Sequence, residues 1–175
     1  MSGLNTGLLL LRLGLAGLLF GHATQKLFGW FRGGGPAGSG ALFHTWGFRP
    51  GPRLAVAAGL SELLGAGSLA LGLLAPAGSA IVLGTMIVAA SPAAKNGLWA
   101  HLGGNEVPVV YAFLGAVLAL TGSGRYALDR ALGLDFSGIG WSIAAIAVGV
   151  VAAVPMLLRR RATLRGATLS EEVRG

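Results

Sequence analysis

Residues 4–31 set the tightest limit on what this chain can fold into. An apolar run admits a single charge, Arg12, and then closes in Gly21-His22-Ala23-Thr24-Gln25-Lys26-Leu27-Phe28-Gly29-Trp30-Phe31. A helix this apolar, with an arginine inside and polar and aromatic side chains at its end, is costly to place in lipid. It predicts a partner for the charge and a use for the polar end. The chain is 54% hydrophobic and 11% charged, whereas soluble domains carry about 25% charged residues. That leaves too little polar surface to face water, so the expected class is an integral membrane protein. The 31 glycines agree, because small residues let membrane helices approach closely. In a water-soluble helix each would cost about 1 kcal/mol relative to alanine.

Cysteine is absent, which excludes disulfides, thiolate nucleophiles and cysteine-ligated iron–sulfur centres. The net charge of +7 is not a nucleic-acid signal. Five of the thirteen lysines and arginines follow residue 158, and the others mostly lie between apolar runs. Topology determination accounts for that placement. No basic stretch precedes the first apolar run, which is therefore expected to be a retained helix rather than a cleaved leader.

A spanning helix needs about 20 mostly apolar residues. The runs predict five, over about residues 4–28, 54–74, 76–90, 107–121 and 139–158, with the second and third joined at Ala75-Pro76-Ala77-Gly78 as an antiparallel hairpin. This gives an all-α, polytopic transmembrane bundle. A four-helix membrane domain covers residues 1–135, an additional helix residues 136–158, and a basic polar cytoplasmic tail residues 159–175. Between the first two segments, Gly33-Gly34-Gly35-Pro36 follows a helix rather than a strand, so a phosphate cradle is not expected. A flexible turn and a short amphipathic helix bearing Phe43, Trp46 and Phe48 at the interface fit better. With the N-terminus outside, the inner side holds Lys26, Arg32, Arg49, Arg53, Lys95, Arg159, Arg160, Arg161, Arg165 and Arg174; the outer side holds Arg125 and Arg130. Ten charges against two predict N-out, C-in if all five segments span.

Several polar residues stand out within this apolar background. Glu62 lies midway along the second segment, at a depth comparable to that of Arg12 in the first. Eight residues in from opposite sides leaves an axial offset of about 6 Å, within an arginine's reach. An Arg12–Glu62 ion pair is therefore expected, either pinning helix register or forming a proton or ligand site. His22, Gln25 and Lys26 share one helix face at i, i+3 and i+4. That face either anchors the helix at the interface or lines a pocket at the cytoplasmic end. Asn96 and His101 lie in the third loop, and Glu106 opens the fourth segment, where it either favours the helix dipole or joins the pocket. Arg12, His22, Gln25, Lys26, Glu62, Asn96 and Glu106 are thus the candidate polar pocket, with no catalytic residue assigned. Histidines at 22, 44 and 101 do not converge on a metal site; no metal is expected, and a haem on His22 and a second histidine is disfavoured.

The same residues carry a family resemblance. Leu10-Leu11-Arg12-Leu13-Gly14 and the stretch from Gly21 to Phe31 resemble the opening signature of the DoxX family of small bacterial membrane proteins. The similarity continues through Gly47-Phe48-Arg49-Pro50, Gly59-Leu60-Ser61-Glu62, Leu71-Gly72-Leu73-Leu74-Ala75-Pro76, Lys95-Asn96-Gly97-Leu98-Trp99, Gly103-Gly104-Asn105-Glu106 and Leu120-Thr121-Gly122-Ser123-Gly124-Arg125-Tyr126-Ala127-Leu128-Asp129. It implies a four-helix bundle at the bacterial cytoplasmic membrane and an association with redox processes, the family name deriving from subunits of a quinone-linked thiosulfate oxidoreductase. By motif position Arg12, His22, Gln25, Lys26, Glu62, Asn96, Gly97 and Glu106 match its pattern. Many members carry a histidine three residues before the Asn-Gly pair, where this chain has Ala93, and the core pattern does not require residues 139–158. The resulting expectation is a quinone-interacting or oxidoreductase-associated subunit without its own covalent redox centre, working with a redox protein partner. The alternative is a non-enzymatic membrane scaffold or small-molecule carrier that uses the polar interior. Oligomeric state is not legible in the sequence.

Overall fold

The computed structural model describes residues 2–136 and 138–172. Arg174, counted above in the tail, lies outside the described residues. Among those described there are helices and turns but no strand. The elements are α1 (Ser2–Leu27), a short 3-10 turn (Trp30–Arg32), α2 (Gly35–Thr45), α3 (Gly51–Leu71), α4 (Ala75–Ala90), α5 (Glu106–Thr121), a single-turn α6 (Leu128–Ala131) and α7 (Ile139–Glu172). Among the described residues three helices are long and apolar enough to cross a membrane, over Gly3–Leu27, Gly51–Leu71 and Ile139–Leu169. The helices α4 and α5 are apolar but only 16 residues each. At 1.5 Å per residue they reach about 24 Å, against a hydrocarbon core of about 30 Å.

The α3–α4 hairpin turns earlier than expected, at residues 72–74. Gly72 adopts φ 61°, and its N–H donates to Leu69 while Leu73 N–H reaches back to Ser68 O at 3.0 Å. This is the left-handed glycine stop that uses the last free carbonyls of a helix. Pro76 and Gly78, expected to break the chain, instead occupy the first turn of α4. Proline is tolerated there because its missing N–H has no intrahelical acceptor to lose.

Packing places α4 at the centre, against α3, α5 and α7, while α1 lies along α3 and α2 lies across α3. The core between them is aliphatic, with Leu8, Leu15, Leu19, Leu69, Val82, Met86 and Leu118 buried around Tyr111. The crossing of α4 and α7 is made by glycines. A Cβ added at Gly84 would lie 2.8 Å from the Gly149 carbonyl oxygen, and one at Gly149 would lie 2.8 Å from the Ala80 carbonyl oxygen. Such backbone proximity holds helices together where lipid leaves no hydrophobic drive between them. Gly149→Leu is expected to destabilise the protein by about 3 kcal/mol, the upper range for overpacking. Gly166→Ala, where an added Cβ meets nothing within 4 Å, should be neutral or slightly stabilising. Detergent-solution melting of both variants checks the contrast.

One expected boundary is displaced by more than a few residues. Residues 159–175 read as a polar tail, yet α7 continues as helix through Arg159, Arg160 and Arg161 to Glu172. Alanine, leucine and arginine are strong helix formers, and the extension gains support from contacts with the turn after α2 described below.

Candidate ligand cavity

A cavity of about 710 Å³ opens between the Lys26 end of α1 and helices α2, α3, α4, α5 and α7. That volume is in the usual range for small-molecule sites. Its walls are mainly apolar, with Phe43, Trp46 and Phe48 from the α2 region, Ala58 from α3, Met86 from α4 and Met156 from α7 among them. The aromatic wall is ordered by ring contacts, Phe43 to Trp46 at 5.7 Å and Phe43 to Phe48 at 5.8 Å. Gly33 shapes the mouth: a Cβ there would lie 2.5 Å from Gln25 Cα, so only glycine lets the turn close against α1. The glycine triplet therefore serves close backbone approach.

The polar part of the cavity comes from α1 and α3. Lys26 Nζ donates to both carboxylate oxygens of Glu62, at 2.9 and 2.8 Å, and to the His22 carbonyl oxygen at 3.3 Å. The carboxylate side chain is 3% exposed and the lysine 19%. With three acceptors the ammonium has no further proton to donate, and the pair is internally neutral. The His22 ring stands edge-on to Tyr111, with centroids 5.8 Å apart. The Tyr111 hydroxyl has no hydrogen-bond partner among the described residues, although the residue is buried and lines the cavity. Among the described residues Ser79 Oγ is the one fully buried side-chain polar atom without a partner, so the Tyr111 hydroxyl keeps exposure to the cavity it lines and is open to a ligand. Gln25 adds an amide to the same wall.

Of the seven candidate residues, the structure brings four together here: His22, Gln25, Lys26 and Glu62. The expected Arg12–Glu62 pair is not formed. Arg12 is level with the end of α3, about 12 Å further along than Glu62 at 1.5 Å per residue. Its guanidinium donates to Leu69 O (2.8 Å), Ala70 O (3.0 Å), Ser123 O (2.6 Å) and Tyr126 O (3.1 Å). It thus caps the carbonyl end of α3 and ties down the segment before α6. Asp129, in the first turn of α6, accepts from Leu74 N at 2.7 Å and Ala75 N at 3.0 Å at the start of α4. Each charge complements a helix end, the cation at a C-terminus and the anion at an N-terminus.

Asn96 and Glu106 also lie apart from the cavity lining. Asn96 Nδ2 donates to Gly103 O at 3.0 Å, and Glu106 accepts from Ala100 N at 2.9 Å. Together they fold the third loop onto itself. Among the described residues no group of three or more histidine, aspartate and glutamate side chains could hold a metal.

Tyr111, Asp129 and the α7 wall were not singled out from the sequence. Tyr111 sits in an apolar run with no polar neighbour nearby in sequence to flag it, and Asp129 was seen only as the end of a motif. No curated protein and no solved structure matches the chain. A family model described as DoxX matches residues 7–102, more than half of the chain, taking in α1 to α4 and most of the third loop, with Arg12, His22, Gln25, Lys26, Glu62 and Asn96 inside the match. The chain belongs to the DoxX family.

Proposed function

We propose that this multi-pass DoxX-family membrane protein binds a neutral, carbonyl-bearing lipophile of the quinone type in the cavity. In this reading it serves as an oxidoreductase-associated subunit that relies on a partner for electrons and owns no covalent redox centre. The observation that carries the reading is the unpartnered Tyr111 hydroxyl beside the neutralised Lys26–Glu62 pair. A net-neutral floor under apolar walls favours neither an anion nor a cation. It favours an apolar body with one or two hydrogen-bond acceptors, which Tyr111 and Gln25 are equipped to serve. A quinone ring fits the aromatic wall of Phe43, Trp46 and Phe48 by stacking, and its tail would continue along the aliphatic wall. When bound, the quinone would supply two-electron redox capacity; the chain's own side chains bind and orient it.

Quenching of Trp46 fluorescence by decylubiquinone, in detergent, tests the site. Tyr111→Phe removes one donor and should weaken binding about fivefold, the loss of one hydrogen bond of about 1 kcal/mol. Identical binding by wild type and the variant, or no saturable quenching, contradicts the reading.

The same proposal places the protein in the bacterial cytoplasmic membrane with α1, α3, α4, α5 and α7 crossing, N-terminus outside and C-terminus cytoplasmic. The asymmetry of lysine and arginine between the two ends supports that orientation. A reporter fused after residue 175 should be active only inside the cell. Activity outside overturns the topology but leaves the cavity reading intact.

A further inference from the structure

We propose that the extension of α7 binds an anionic phospholipid, with the headgroup phosphate on Arg161 and Arg165 and an acyl chain along the helix below them. This inference does not rest on the cavity reading. Two residues of the extension dock on the protein. Arg160 Nε donates to the Trp46 carbonyl oxygen at 2.8 Å, and its guanidinium carbon lies 5.7 Å from the Phe48 ring centre. One turn on, Leu164 covers Gly47, where a Cβ would lie 2.8 Å from Leu164 Cγ. These contacts fix the rotation of the extension about its axis. Arg161 and Arg165, one turn apart, then share a face beside the docked one, and both are exposed.

The face continues downward as Leu158, Val154 and Val151, spaced at three and four residues and all exposed. An apolar stripe thus runs straight into two guanidiniums, which is the profile of a phospholipid: chain, then phosphate. Arg49, which follows Phe48 directly in the sequence, is exposed as well. None of the three arginines forms an ion pair among the described residues. Two like charges one turn apart repel unless an anion lies between them. Guanidinium groups take phosphate oxygens in a bidentate fork. Orienting the protein requires basic residues near helix ends, but it does not require their convergence on one apolar stripe. Among the described side chains no carboxylate balances these guanidiniums, which favours a net-negative headgroup over a zwitterionic one.

The full chain in neutral detergent is titrated with phosphatidylglycerol, phosphatidylcholine and inorganic phosphate, following the melting midpoint. Phosphatidylglycerol should raise it, less so as salt increases, and phosphatidylcholine should not. In Arg161→Gln/Arg165→Gln the apparent affinity for phosphatidylglycerol should fall at least about tenfold, whereas Arg161→Lys/Arg165→Lys should keep most of it. Equal shifts in wild type and the glutamine variant, or equal shifts with both lipids, overturn the proposal. Inorganic phosphate alone reproducing the full shift also overturns it, assigning the site to a soluble anion. If the glutamine variant does not fold, native mass spectrometry of the wild type decides: retained phosphatidylglycerol must drop with salt, and retention indifferent to salt overturns the proposal.

Discussion

Arg12→Met is expected to lower stability by about 4–5 kcal/mol, at the extreme of what single substitutions do. The guanidinium serves four carbonyls from two segments separated by more than fifty residues: Leu69 and Ala70 at the end of α3, and Ser123 and Tyr126 before α6. Hydrogen bonds from a charged donor contribute about 1.5–3 kcal/mol each, and a buried acceptor left without a donor costs more than the bond's net worth. Methionine matches the stem but supplies no donor. Arg12→Lys should recover less than half of the loss, because a point ammonium with three protons does not span four acceptors. Gly72 offers an independent route to the same defect. Its φ of 61° strains a residue that carries a side chain, and an added Cβ would lie 2.7 Å from Arg12 Nη2. Gly72→Val should therefore approach Arg12→Met in severity, and the double variant should be far less than additive. Unfolding titrations of purified protein measure all three.

The second large effect is asymmetric. Lys26→Met leaves Glu62, 3% exposed, without its counter-ion, and breaking a buried pair from one side costs about 3–5 kcal/mol. Glu62→Gln should cost less. Lys26 lies in the last turn of α1 and is already 19% exposed, so its long stem can carry the ammonium out past Phe28 to water. The paired replacement Lys26→Met/Glu62→Met should be milder than Lys26→Met alone, and by the same physics it approaches neutrality in stability. A lysine variant no worse than the glutamine one would mean that the carboxylate has another partner. The stability of the double variant also separates roles: a well-folded Lys26→Met/Glu62→Met protein that no longer binds a quinone places the pair in recognition rather than in folding.

The helices were largely legible because apolar periodicity and length are strong signals in a chain so poor in charge. The expected starts and ends of α1, α4 and α5 fall within two residues of the observed ones. The pairing of charges was not legible. Arg12 and Glu62 are each single charges in apolar runs, and sequence alone assumed that α1 and α3 meet with their midpoints level. The stop at Gly72 and the onset of α3 at Gly51 fix a different stagger, which puts Lys26 rather than Arg12 beside Glu62. A helix-end arginine donating to backbone carbonyls leaves no mark in a sequence, since every residue has a carbonyl. Polar residues close together in sequence, His22, Gln25 and Lys26, were read onto one face correctly because the helix period links them. Tyr111 and Met156 reach the same cavity from helices more than eighty residues away, and only tertiary packing brings them there. The extension of α7 was hidden for another reason: its arginines read as solvated charge, while the docking contacts of Arg160 and Leu164 depend on a turn over a hundred residues earlier.

Mass spectrometry of the lipids extracted from protein purified out of bacterial membranes tests the central claim most directly. The cavity account predicts stoichiometric quinone with the wild type, less with Tyr111→Phe, and none with Ala58→Phe, which fills the cavity from the α3 side. A quinone-free wild type, or quinone retained equally by all three proteins, would contradict it.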